Sequence, residues 1–163
     1  MRRALFLVGL FFLVAPLALA QTKISGTCQC SKSSIEHMIP AGDHPNHSLG
    51  VTQGKCTWPK PWLIAGIASK EGVATGLQEV DGNKVKNHGV YVDTMANGDQ
   101  VHYRYEITAT AKNGQLQITG HKWQIVGGTG KFKGIKGQGT CKGTPTADGG
   151  VTYESRGEYT LPK

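Results

Sequence analysis

Apolar and polar residues alternate along segment 101–109, with apolar or aromatic side chains at odd positions and mostly polar ones at even positions. This period of two predicts a half-buried β-strand, because successive side chains of a strand point to opposite faces. Segment 151–161 largely repeats the pattern. In segment 116–125 the apolar positions change from even to odd near Gly120, and this change of phase predicts a β-bulge.

Weaker strand patterns fill most of the remaining chain, and no segment has a helical periodicity long enough to predict a helix. Asp-Gly or Asn-Gly pairs, which favour tight hairpins, separate apolar runs at 81–82, 97–98, 113–114 and 148–149. Eight or nine strands are thereby predicted. Consecutive antiparallel hairpins close most simply into an up-and-down barrel, which has no open edge. A two-sheet sandwich is the alternative.

The N-terminus has the pattern of a secretory signal peptide. Two arginines follow the first methionine, 5–14 is an uncharged apolar run, and the small residues of 18–20 form a cleavage site. The run is short for a membrane span of about 20 residues, so an uncleaved anchor is the less favoured alternative. We predict a signal peptide over 1–20, one folded domain over 21–163, no membrane span after cleavage, and a secreted or periplasmic location.

Glycine is unusually frequent, at 23 of 163 residues, which is about twice the usual level of roughly 7%. This content disfavours long helices and helix bundles. The net charge of the whole chain is +7, but nucleic-acid binding requires a dense basic stripe. The nearest cluster is diluted by glycines and predicts only a solvated turn; it consists of Lys131, Lys133 and Lys136. No nucleic-acid partner is expected.

All four cysteines lie in the predicted mature domain, whose export implies an oxidising compartment; they are Cys28, Cys30, Cys56 and Cys141. The spacing is one C-x-C and two single cysteines, whereas four-cysteine zinc sites usually have two C-x2–4-C pairs. A bond between Cys28 and Cys30 would close a strained loop. We therefore predict two disulfides, in which one of these two residues bonds to Cys56 and the other to Cys141.

A glycine-rich segment at 125–137, IVGGTGKFKGIKG, partly matches the pattern of a phosphate-binding loop. Such a loop needs the pattern G-x4-G-K-[ST] followed by a helix. Ile125 occupies the first glycine position and Phe132 the Ser/Thr position, and the later glycines disfavour a helix. A sharp turn between two strands is predicted, with at most one tight helical turn within 127–132.

The same segment resembles the GGTGxFxGxxG signature of plant dirigent proteins and, more loosely, the corresponding turn of allene oxide cyclase. The resemblance implies an all-β, calycin-like antiparallel barrel of about eight strands with an apolar cavity, secreted and often a homo-oligomer. Relatives of this kind hold a reactive lipid or phenolic intermediate in such a cavity. No catalytic residue of either family transfers to this sequence.

Three of the six histidines lie in or near a polar turn: His37, His44 and His47, with Asp43 between the first two. Two histidines at a spacing of three with a carboxylate are candidate ligands of Zn or Cu. We nevertheless expect no stoichiometric metal, because Pro45 constrains how the two later rings turn toward each other. A metal-binding exported protein using this loop is the alternative function.

The sequence contains no evident catalytic machinery and indicates no cofactor. Neither a G-x-S-x-G elbow nor an H-E-x-x-H motif is present. Asp93 and Asp99 flank the turn at 97–98, and turn capping is favoured over acid–base chemistry for both. A cyclase or isomerase that acts by confining its substrate is raised only by the resemblance.

In a small barrel the apolar faces of the strands turn inward, where eight strands leave room for packed side chains or one small ligand. We therefore predict that the interior binds a small apolar or aromatic molecule, and a fully packed interior is the competing expectation. The predicted ligand-binding residues are Tyr103, Tyr105, Ile107, Leu116, Ile118, Trp123, Tyr153 and Tyr159.

Overall fold

The computed structural model describes residues 21–112 and 115–162, in which ten strands and one short 3₁₀ helix account for nearly all regular structure. The strands are β1 Thr22–Cys30, β2 Ile35–Pro40, β3 His47–Lys60, β4 Leu63–Ile64, β5 Ile67–Asp81, β6 Lys84–Met95, β7 Gln100–Lys112, β8 Gln115–Gly128, β9 Lys136–Pro145 and β10 Val151–Thr160. The 3₁₀ helix Gly130–Phe132 lies in the predicted turn between β8 and β9. Across these two ranges, no helix has the length and apolarity needed to cross a membrane.

Eight strands form a closed antiparallel barrel in the order β3-β1-β10-β9-β8-β7-β6-β5, and β5 pairs back with β3. β2 pairs with the first half of β3 and β1 with its second half, so both lie along the same edge of β3. The short β4 pairs with β5. The all-β barrel prediction is therefore confirmed, and the sandwich alternative is wrong.

The alternation along the chain decides which side chains face the barrel interior. On β7, Val101, Tyr103 and Tyr105 are buried, while Arg104 and Glu106 between them are exposed. The bulge predicted near Gly120 is present, because the register of β7 and β8 shifts there. This shift allows both halves of β8 to direct apolar side chains to the same side.

Three of the predicted Asp-Gly or Asn-Gly turns are present as tight connections between strands. Gly82, Gly98 and Gly149 have φ values of 58°, 83° and 81°, a left-handed conformation that glycine adopts without steric cost. The fourth predicted turn, at 113–114, lies outside the described residues.

Inward-facing glycines make space for the largest aromatic side chain of the wall. Trp123 on β8 lies in one cross-strand row with Gly139 on β9 and Gly157 on β10. A Cβ atom at either glycine would overlap the Trp123 ring. The high glycine content is therefore partly explained by a narrow barrel that packs indole rings across its interior.

Candidate functional site

The barrel interior contains a cavity of about 240 Å³, and each of the eight barrel strands contributes to its lining. Seven of the eight predicted ligand-binding side chains line it: Tyr103, Tyr105, Ile107, Leu116, Ile118, Trp123 and Tyr153. Tyr159 is buried but does not line the cavity, and its hydroxyl accepts a hydrogen bond of 2.9 Å from the Ala65 N–H. The alternation of β7 and β8 thus places most of the predicted residues around one space, while Tyr159 serves a different part of the core.

Aromatic rings close one end of the cavity. Trp62 lies at their centre, with ring centroids 4.6 Å from Trp58, 5.8 Å from Tyr103 and 5.2 Å from Trp123. The Trp123 indole N–H donates a 3.1 Å hydrogen bond to the Ser155 hydroxyl. All three tryptophans of the chain therefore line the cavity.

A buried carboxylate holds two of the tryptophan rings at this aromatic end of the cavity. Asp93 on β6 accepts hydrogen bonds from the indole N–H groups of Trp58, at 3.0 Å, and Trp62, at 3.2 Å. The Ser69 hydroxyl donates a third bond of 2.6 Å. Burial raises the pKa of the Asp93 carboxyl to about 6, although these hydrogen bonds oppose the rise. The prediction that Asp93 caps a turn is wrong, because its side chain is fully buried in the strand.

Three cavity-lining residues carry a buried polar atom for which the described part of the chain supplies no hydrogen-bond partner. These atoms are the Tyr103 hydroxyl, His121 Nδ1 and Asn87 Oδ1. Buried polar atoms are paired in most native structures, and an unpaired one costs about 1–3 kcal/mol. Asn87 and His121 were not among the predicted site residues, because a polar residue in a strand is ordinarily assigned to the solvent face.

The opposite end of the cavity is bordered by polar residues of two connections. Ser31, Lys32 and Ser33 follow β1, and Gly149 belongs to the turn between β9 and β10. The aliphatic part of the Lys32 side chain passes beside Gly149. One cationic group therefore lies at this end, whereas the far end is aromatic.

The cysteines form one disulfide and leave two thiols in the cavity wall. Cys30 on β1 and Cys56 on β3 are direct cross-strand partners and are bonded, which confirms one predicted pairing. The second predicted disulfide is wrong, because Cys28 and Cys141 are free. Cys28 lies on β1 and Cys141 on β9, and β10 lies between these two strands. The Cα atoms of the two cysteines are therefore separated by two strand spacings, roughly 10 Å. This distance exceeds the limit of roughly 7 Å for a disulfide.

The two free thiols are poor nucleophiles at neutral pH. Burial raises the pKa of Cys28 to about 12, and the neighbouring Cys141 adds to the rise. Burial likewise raises the pKa of Cys141 to about 11. The thiolate is the reactive form of cysteine, so these side chains contribute polarisable apolar surface to the cavity.

Asp93 and His121 are expected to give opposite contributions to the pH dependence of stability. Burial lowers the pKa of His121 to about 4, so the unfolded chain binds more protons between pH 4 and 6.5, and folding gains about 3 kcal/mol as the pH rises. For Asp93 the folded state binds more protons than the unfolded chain between pH 4 and 6. The folded state therefore loses about 3 kcal/mol of stability as the pH rises through this range.

Urea denaturation from pH 4 to 6.5 tests this opposition. In the wild type the two contributions nearly cancel. In His121→Phe only the Asp93 contribution remains, so the free energy of unfolding is expected to fall as the pH rises. In Asp93→Asn only the His121 contribution remains, so the free energy of unfolding is expected to rise with pH. Parallel pH profiles for the wild type and both variants would contradict the assignment of these two groups.

A second group of titratable side chains lies on the outer surface, in the turn between β2 and β3. The rings of His44 and His47 are stacked, with centroids 4.7 Å apart and planes inclined by 13°. The argument that Pro45 keeps these rings from facing each other is therefore wrong. His37 lies on β2 opposite Val51 and is not part of the group.

The closed barrel and its lined interior define the fold as a dirigent-like, calycin-like barrel, as the resemblance at 125–137 implied. No family model matches the chain, and no curated protein matches it in sequence. Among solved structures, the pterocarpan synthase dirigent protein GePTS1 matches with a TM-score of 0.51 and 13% identity, covering 94% of this chain and 98% of that one. The pterocarpan synthase dirigent protein PsPTS1 matches with a TM-score of 0.50 and 13% identity, covering 88% of this chain and 97% of that one.

A protein of unknown function from Shewanella oneidensis MR-1, of the DUF3224 family, matches with a TM-score of 0.48 and 14% identity over 88% of this chain and 99% of that one. At these identities the matches with the two dirigent proteins establish the shared fold and nothing about the reaction.

Proposed function

We propose that the protein is an exported barrel that binds one small, mainly apolar molecule in its interior. The observation that carries this proposal is the cavity of about 240 Å³, which is lined by three residues that each carry a buried polar atom without a partner among the described residues. An apolar cavity of about 150 Å³ is large enough to bind benzene. The volume here therefore accommodates a substituted aromatic ring or a molecule of similar size.

The polar atoms of the lining restrict the chemistry of the ligand. The Tyr103 hydroxyl offers a donor, while Asn87 Oδ1 offers an acceptor. A ligand that carries a hydroxyl or carbonyl group on an apolar frame would form hydrogen bonds with these two atoms. Its apolar part would contact the tryptophan and tyrosine rings at the aromatic end of the cavity. Lys32, at the other end of the cavity, favours a neutral or anionic group there over a cationic one.

Export of the protein rests on two observations of different kinds. The sequence pattern of 1–20 is that of a signal peptide, and the disulfide between Cys30 and Cys56 is of a kind that persists in oxidising compartments. We therefore place the ligand-binding function in the periplasm or outside the cell.

Intrinsic tryptophan fluorescence provides a direct test, because all three tryptophans line the cavity. Titration with single-ring phenols and with short fatty acids is expected to give a saturable change for at least one compound. Tyr103→Phe removes one hydroxyl from the lining and is expected to weaken binding of a phenol about 2–10-fold, the equivalent of one net hydrogen bond. The same variant should bind the analogue lacking the hydroxyl unchanged.

Tyr159→Phe is the matched control, because Tyr159 is also a buried tyrosine but lies away from the cavity. It is expected to bind every compound as the wild type does. Absence of saturable binding to the wild type across both compound classes would contradict the proposal. An equal loss in both tyrosine variants would show that Tyr103 acts through the fold and does not contact the ligand.

A further inference from the structure

The outer histidine turn is held in place by the neighbouring hairpin. The Gly82 N–H in the β5–β6 turn donates a 3.0 Å hydrogen bond to the Asn46 carbonyl, and the Ala41 N–H donates one of 3.0 Å to the His47 carbonyl. Asn46 has a φ of 61°, a left-handed conformation that asparagine tolerates better than most residues. His47 is thereby placed directly opposite Asp81 in the β3–β5 pairing.

In both histidines the Nδ1 atom makes the hydrogen bond, and the Nε2 atom is left without one within the described part of the chain. The Nδ1 atom of His47 lies 2.6 Å from Asp43 Oδ1, and that of His44 lies 3.2 Å from the Pro45 carbonyl oxygen. A carboxylate or carbonyl oxygen only accepts, so each Nδ1 carries the proton. In neutral rings this leaves both Nε2 lone pairs free, which is the arrangement typical of metal-ligating histidines.

Carboxylate oxygens lie near both free nitrogens. His44 Nε2 is 3.6 Å from Asp43 Oδ2 and 3.9 Å from Asp81 Oδ1, while His47 Nε2 is 3.6 Å from Glu79 Oε1. His47 Nε2 is buried and without a hydrogen-bond partner among the described residues. Two ligands of a tetrahedral zinc ion with bonds of about 2.0–2.1 Å are roughly 3.3 Å apart, so small side-chain movements bring these atoms to bonding distance.

We propose that Asp43, His44 and His47, completed by Glu79 or Asp81, bind one divalent transition-metal ion of the Zn²⁺ or Cu²⁺ type. One ligand atom from each of the first three lies within 4.8 Å of the other two. Imidazole with carboxylate suits these ions. The three carboxylates place a negative charge at the site that a divalent cation offsets. Among the described residues one lysine pairs with them: Lys86, whose Nζ lies 3.7 Å from the far oxygen of Glu79.

Calorimetric titration of the chelator-treated full-length protein with Zn²⁺ tests the proposal. We expect one ion per chain with micromolar or tighter affinity at pH 7.5. His44→Ala and His47→Ala are each expected to weaken binding at least tenfold. His37→Ala is the matched control, because this histidine lies on the adjoining strand outside the group; it is expected to bind as the wild type does. A parallel titration with Cu²⁺ is expected to give the same order of variants.

Three results would overturn the proposal: no saturable binding, several weak ions per chain, or equal losses in His37→Ala and His47→Ala. Each variant is compared with the wild type by far-ultraviolet circular dichroism, because the turn is exposed and its substitutions are expected to leave the barrel intact. The site lies outside the barrel, so its variants should bind interior ligands as the wild type does. A failure of either proposal therefore leaves the other standing.

Discussion

Replacement of Asp93 by alanine is expected to lower the free energy of unfolding by about 3–5 kcal/mol. The variant leaves the buried Trp62 indole N–H and Ser69 hydroxyl without their strong acceptor, while the Trp58 N–H keeps only its 3.1 Å contact with the Tyr91 hydroxyl. Each unsatisfied buried donor costs about 1–3 kcal/mol, and the removed carboxyl group leaves an additional void. Urea denaturation followed by tryptophan fluorescence measures the loss.

Two further variants separate the hydrogen-bond network from a general effect of charge removal. Asp93→Asn keeps one acceptor but places an amide N–H₂ group near donors, so a smaller loss of about 1–3 kcal/mol is expected. Glu106→Ala removes an exposed carboxylate from β7 and is expected to change stability by less than about 0.5 kcal/mol. A loss below about 1 kcal/mol in Asp93→Ala would show that the indoles find other partners.

Loss of the Cys30–Cys56 disulfide is expected to cost about 3.5 kcal/mol. The bond closes a loop with a sequence separation of 26 residues, and the chain-entropy relation gives this value for a loop of that size. The loop contains β2, the whole turn that joins it to β3 and the first part of β3, so the unfolded chain gains much freedom without the bond. Equilibrium unfolding of Cys30→Ser/Cys56→Ser under non-reducing conditions measures the difference.

The free thiols provide the control for this experiment. Cys28→Ser/Cys141→Ser retains the disulfide and is expected to remain sensitive to reductant, whereas the Cys30→Ser/Cys56→Ser protein should be insensitive to it. Thiol titration of the denatured, unreduced wild type is expected to find two thiols, corresponding to the two free cysteines. Four thiols, or none, would contradict the pairing.

The barrel was predictable because its strands have one apolar and one polar face. The alternation along 101–109 survives unchanged as the inward and outward faces of β7, and the change of phase near Gly120 is the bulge in β8. Local patterns of this kind depend only on neighbours within a strand. The sequence signal was therefore sufficient for the fold class and for placing seven of the eight predicted ligand-binding residues in the cavity wall.

The free state of Cys141 was not predictable, because it depends on the order of strands around the barrel. Only the observed order shows that β10 separates the strands carrying Cys28 and Cys141. The stacking of His44 on His47 was not predictable for a similar reason. The ring positions follow from the left-handed Asn46 and from a hydrogen bond to a distant hairpin, neither of which the local sequence specifies.

Asp93 was missed although the sequence contains a signal for it. It is in phase with Tyr91 and Met95 on β6, so the alternation alone places it on the inward face. Its proximity to the 97–98 turn suggested a capping role instead. The donors that make a buried carboxylate tolerable come from Trp58, Trp62 and Ser69, which lie on other parts of the chain.

The row formed by Trp123, Gly139 and Gly157 links three positions that cannot change independently. Alanine at either glycine would overlap the indole ring, whereas a smaller side chain at position 123 would leave two glycines beside a void. In evolution or in directed engineering, Trp123 must be replaced by a smaller side chain before either glycine can be replaced by a larger residue. Variants of this barrel with altered ligand size should therefore be reached by ordered double substitutions, with strong epistasis between β8 and the two strands beside it.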